Sequence, residues 1–175
     1  MESLVKTIWK IDPTHSEIGF KVRHMMISTV KGHFDSFNVE VEAEKEDFSD
    51  AQINVSIDTS SINTKNEDRD NHLKSADFFN SDEYPKMTFK STSFDGSKLK
   101  GELSIKNVTK AIELDVEYNG SAVDPYGQTK AGFEISGEIN RQDFGLSWSA
   151  ITEAGKIVVS DTVKIAIDAQ LIKQA

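Results

Sequence analysis

Apolar and polar residues alternate with a period of two along most of this chain, and that alternation limits its fold more than any other feature. Between residues 17 and 24, Ile18, Phe20 and Val22 share one face, while Glu17, Lys21 and Arg23 share the other. The same pattern recurs over 37–44, 53–60, 87–94, 99–105, 112–118, 132–139 and 163–171, giving eight runs. A strand with one apolar face and one wet face belongs to an antiparallel sheet, because parallel strands are buried on both faces. Asp95-Gly96 predicts a tight hairpin, Asn119-Gly120 closes another run, and Asp124 to Gly127 matches a type I turn. A single-faced meander must hide that face, either by closing into a barrel or by folding over as a sandwich.

Runs of about ten residues span roughly 33 Å, so such a barrel is tall. Eight strands enclose an interior that side chains can fill or that can hold one small ligand, and the alternation leaves that choice open. Gly101 and Gly137 fall on the inward phase, where a missing side chain leaves room. Phe20, Phe34, Phe89, Phe133 and Trp148 are candidates for a ligand lining, with ordinary core as the competing reading. Val22 and Ile135 share the inward phase with them.

One stretch breaks the alternation. "NEDRDNHLKSADFF", residues 66–79, reads as a charged helix near 65–75, with Thr64 and Glu67 at capping-box spacing. Asp70 and Lys74, like Asp68 and His72, are one turn apart. Its few apolar residues, Leu73 with Phe78 and Phe79 beyond, make it a foot-anchored lid at a barrel mouth or else a plain crossover.

Composition narrows the function. The 175 residues show no repeat, linker or low-complexity tract, so residues 1–175 read as one domain. A net charge of -9 opposes binding to nucleic acid or to an anionic membrane surface. Without cysteine there is no disulfide, thiolate metal site or cysteine nucleophile. The start lacks a secretory pattern, and no stretch nears the roughly 20 apolar residues of a spanning helix, so a cytoplasmic location is expected.

His15, His24, His33 and His72 form no compact ligand motif, so hydrogen-bonded histidines are expected rather than a metal site. Ser16 beside His15 lacks a nucleophile elbow. Arg141 with Asp143 reads as a charge-assisted clamp on a strand end. Asn54 and Asn107 match glycosylation sequons, which mean little without export.

The segments "DPTHSEIGFKVRHM" (12–25), "VKGHFDSF" (30–37), "NEDRDNHLKSADFFNSDEYPKMTFKS" (66–91), "GELSIKNVTKAIEL" (101–114) and "AGFEISGEINRQDFGL" (131–146) resemble the YceI-like family of lipocalin-like, polyisoprenoid-binding proteins. The resemblance runs from about Trp9 to Leu171. It implies an all-β, extended eight-stranded antiparallel barrel with one short helix at a barrel end. The expected ligand is a long-chain lipid in the interior, bound without catalysis or cofactor, and the expected assembly is a homodimer. His15, His24 and His72 match family positions, and Arg69, Asp70 and His72 are the polar groups that the lid offers to a head group, with His24 beside them. Many family members are periplasmic. The competing functions are an enzyme acting on an isoprenoid or quinone-like substrate inside the barrel, and an interaction protein with a filled core.

Overall fold

The structure, a computed structural model, describes residues 6–25, 27–45, 47–148 and 159–174. Its strands are β1 (Thr7–Ile11), β2 (Glu17–His24), β3 (Ser28–Phe34), β4 (Phe37–Ala43), β5 (Gln52–Asp58), β6 (Ile62–Asn63), β7 (Lys86–Phe94), β8 (Lys98–Ile105), β9 (Val108–Val123), β10 (Thr129–Asn140) and β11 (Val159–Lys173). One α-helix, α1 (Glu67–Lys74), lies between β6 and β7.

All pairings are antiparallel, and β1-β4-β5-β7-β8-β9-β10-β11 closes on itself through β11 and β1. The ring has eight positions, and three of its strands are broken. β1 and β2 both pair with β11, on either side of a 3₁₀ turn at Pro13–His15. β3 and β4 pair with β2 and β1 across a break at 35–36. β5 and β6 pair with β4 and β3 across the 3₁₀ turn Thr59–Ser61. Each alternating run therefore finds one position in the barrel. The elements that escaped the alternation, β1, β3 and β6, are the other halves of the broken strands. The expected strand length is exceeded: β9 and β11 have 16 and 15 residues, about 50 Å each along the strand.

One turn expectation differs from the structure, and one turn had no signal in the sequence. Asn119-Gly120 does not end a run: β9 continues through it with a bulge, since Gly132 faces Gly120 and Phe133 faces Tyr118, leaving Asn119 over. Gly120, at φ 107, supplies the left-handed backbone that a bulge needs as much as a turn does. The real turn between β8 and β9 is Lys106-Asn107, with Lys106 at φ 57, a residue type that gives no turn signal. At the expected type I turn, the Gly127 N–H donates to the Asp124 carbonyl at 3.1 Å.

The helix is where the sequence placed it, but its cap is not. Asn66, not Thr64, accepts from the Arg69 N–H at 3.0 Å, contributing about 1 kcal/mol to the helix start. Acidic Glu67, Asp68 and Asp70 begin the helix and His72 and Lys74 end it, matching its dipole. Beyond it, Phe78 and Phe79 are buried as the expected foot.

Candidate functional site

The barrel encloses a cavity of about 580 Å³, within the usual 300–1,000 Å³ of small-molecule sites. The inward phases of β2, β4, β5 and of β7 to β11 meet there, so the wall is built from Ile, Val, Leu, Met and Phe side chains. Ten of the residues singled out in the sequence line it, whereas Asp70, also offered to a head group, does not. Phe20, Val22 and His24 come from β2, and Phe34 from β3. Phe89 comes from β7, Phe133 and Ile135 from β10, Arg69 and His72 from α1, and Trp148 from the segment after the 3₁₀ turn Arg141–Phe144.

Gly101 and Gly137 line up inward, but they do not leave empty space. A Cβ at Gly101 would lie 2.4 Å from Phe89 Cζ, and one at Gly137 would lie 2.5 Å from Leu114 Cδ2. The glycines let these larger side chains lie flat against the wall, which keeps the bore open indirectly.

The end away from α1 is plugged by Phe48, which is 2% exposed. Its ring sits 5.0 Å from Trp9 and Phe133 and 5.5 Å from Tyr118. Phe48 has φ 63, a strained backbone for a bulky residue. Asp50 steadies its loop by accepting from the N–H groups of Glu44 at 2.8 Å and Lys45 at 3.1 Å. The sequence reading missed Phe48, although one aromatic in the charged stretch 44–50 was a usable signal.

At the α1 end lie the polar lining groups Arg23, His24, Thr64, Asp68, Arg69, His72 and Arg141. Among the described lining residues only Arg23 and Asp68 are exposed, so this end is the mouth. Several polar groups are already committed there. Arg69 donates from Nε to Thr64 Oγ1 at 2.8 Å and from Nη2 to the Thr64 carbonyl at 2.7 Å. Asp70 accepts from the Thr64 N–H at 2.9 Å and from its hydroxyl at 2.5 Å. Arg69 and Asp70 thus bind the helix to the end of β6.

His72 Nε2 lies 2.9 Å from Asp77 Oδ2, and its ring packs edge-on against Trp148 at 4.7 Å and Phe78 at 5.2 Å. The His24 ring has no hydrogen-bond partner among the described residues. His15 pairs with Asp12 and His33 with Asp35, both away from the cavity lining. Among the described residues, no group of three or more His, Asp or Glu side chains is placed to hold a metal ion.

Arg141 is 3% exposed and also lines the cavity. It donates to the carbonyls of Leu146 at 2.6 Å, Trp148 at 2.7 Å, Ser160 at 3.0 Å and Val159 at 3.2 Å. Burial pulls its pKa below the ordinary guanidinium value, and Asp161, 3.5 Å away, opposes that. The expected clamp is present, but its acceptors are carbonyls and Asp161 rather than Asp143.

No helix among the described residues is long and apolar enough to cross a membrane. Residues 9–171 match the family model for the YceI-like domain. A UPF0312 protein of Staphylococcus aureus (strain MSSA476) is 42% identical over 165 residues, covering 94% of this chain and 96% of its own. The crystal structure of a Campylobacter jejuni YCEI protein matches with a TM-score of 0.72 at 34% identity, covering 100% of both chains. At 16% identity, a polyisoprenoid binding domain from Saccharophagus degradans shares the fold, with a TM-score of 0.70 over 95% of this chain and 98% of its own.

Proposed function

The chain belongs to the YceI-like domain family, and on that premise we propose that it holds a long-chain apolar lipid, a polyisoprenoid or a derivative of one, inside the barrel for storage, transport or shielding. The observation that carries this reading is a tall cavity of about 580 Å³ with apolar walls and its polar groups gathered at one end. Each CH₂ moved from water into such walls gains about 0.8 kcal/mol. A chain of tens of carbons therefore outweighs the ordering and association terms that oppose binding. The fold neighbour described as a polyisoprenoid binding domain supports this class of ligand.

A polar head group would meet the mouth. His24, with no partner among the described residues, is the group best placed to serve it. Arg69 and His72 contribute as already-oriented neighbours, and Phe48 stops the far end of the chain.

The test is mass spectrometry of an organic extract of the purified protein, with titration of a fluorescent prenyl probe. The expected result is a co-purified lipid and saturable probe uptake, with uptake lost in a folded Val22→Trp variant that fills the bore. A folded wild-type protein that carries no lipid and takes up no probe overturns the reading in favour of a filled-core interaction protein.

A further inference from the structure

Charge on the outer wall is sorted into rows by the strand register. Across four neighbouring strands, Glu117, Glu134, Asp168 and Glu17 stand directly opposite one another, all exposed. Four residues nearer the mouth, Lys164, Lys21 and Lys31 stand directly opposite one another across β11, β2 and β3, also exposed. Glu138 faces Lys164 from β10 and offsets one end of this second row. Like charges directly opposite each other weaken a sheet. None of the three lysines forms an ion pair with a described residue, although lysines elsewhere do.

The same hairpin carries two further features. At its tip Ile27 is 76% exposed, one of four large apolar side chains exposed among the described residues. Its inner face lines the cavity through Val22, His24 and Val30. One hairpin thus joins an apolar tip, a cationic outer face and the wall of the mouth. The lysine row lies about 10 Å below the end of β2, three residues from His24.

We propose that the β2–β3 hairpin docks the mouth of the barrel onto the surface of an anionic lipid bilayer. Lys21, Lys31 and Lys164 meet the phosphates and Ile27 enters the boundary of the acyl chains, while α1, which also borders the mouth and carries acidic Glu67 and Asp68, opposes the contact and keeps it weak. The partner is a lipid surface rather than an acidic protein because the apolar tip and the cavity mouth share the hairpin. The net charge of -9 hides this face, since only the register gathers the three lysines. Three cations and one apolar tip give a weak, reversible attachment. Its purpose rests on the lipid-binding reading, because a nearly insoluble ligand is collected from a membrane, but the surface is tested separately.

The experiment is flotation of the full chain with vesicles of phosphatidylcholine, with and without about one-third phosphatidylglycerol. Binding is expected only to the anionic vesicles, and it should disappear in about 0.5 M salt. Replacing Lys21, Lys31 and Lys164 together with Ser is expected to lower partitioning about 100-fold, at about fivefold per lysine. Ile27→Ser should lower it several-fold with every charge in place. A control replacing Lys90, Lys100 and Lys110, exposed elsewhere on the barrel, changes net charge equally and should leave partitioning within about threefold. An equal loss in the control, or equal binding to both vesicles, overturns the proposal. So does binding to heparin without binding to vesicles, which would assign the row to an acidic polymer. Probe uptake in solution should be unchanged in the lysine variant. Failure of uptake in the wild type would remove the lipid-binding reading while leaving the docking result standing.

Discussion

Phe20 lies over Gly32, its direct partner across β2 and β3, so closely that a Cβ on Gly32 would fall 2.4 Å from Phe20 Cζ. The ring is held against the wall because its neighbour has no side chain. Gly32→Ala is therefore expected to push Phe20 into the bore. It should cost about 1–3 kcal/mol in urea unfolding, the scale of overpacking, and weaken probe uptake. Unchanged uptake in a folded variant would mean that the ring finds room elsewhere.

The anchoring of α1 by Arg69 gives a second expectation. Arg69→Ala removes two charge-assisted hydrogen bonds to Thr64, each at 2.8 Å or less. The loss should be about 1.5–3 kcal/mol, felt locally rather than by the whole barrel. Amide hydrogen exchange is expected to accelerate across 66–74 while the β10 and β11 ladder keeps its protection. Acceleration throughout the barrel would make the helix part of the global folding unit.

Arg141 joins the two sides of the β10–β11 connection through four carbonyls. Arg141→Ala leaves those acceptors without their cation and should destabilise the protein by about 3–5 kcal/mol. Arg141→Lys keeps the charge but cannot reach four acceptors at once, so roughly half of that loss should remain. Urea midpoints for the two variants that coincide with the wild type would show the clamp to be dispensable.

Acid stability should depend on Asp12. Burial pushes its carboxyl up, but hydrogen bonds from Thr14, His15 and Lys130 outweigh this and hold it well below the usual carboxylate range. A depressed folded-state pKa contributes stability that is fully present above the unfolded value of about 3.9 and is lost as pH falls toward the folded value. The urea midpoint of the wild type should therefore drop between about pH 4 and pH 2. Asp12→Asn is expected to flatten that drop while starting from a lower midpoint at neutral pH. An identical acid slope in the two proteins would remove Asp12 as its source.

The sequence by itself determined the inward face of every long strand. Ile18, Phe20, Val22, Phe133 and Ile135 lie where a period of two puts them, because a pleated strand has only two faces and water selects between them. It also determined the helix and its foot, since charge with a lone Leu73 and two phenylalanines cannot form a core strand. Tertiary structure decided what depends on partners distant in the chain. β1 and β6 were too short to show a period, and β11 and β3 define them. Gly120 permits a turn and a bulge alike, and pairing with Gly132 chose the bulge. Arg69 and Asp70 carry charge that suits a ligand, yet folding brought Thr64 close enough to claim both. The row of Lys21, Lys31 and Lys164 was created by register alone, because alternation fixes which face a residue takes but not which neighbour it meets across the strands.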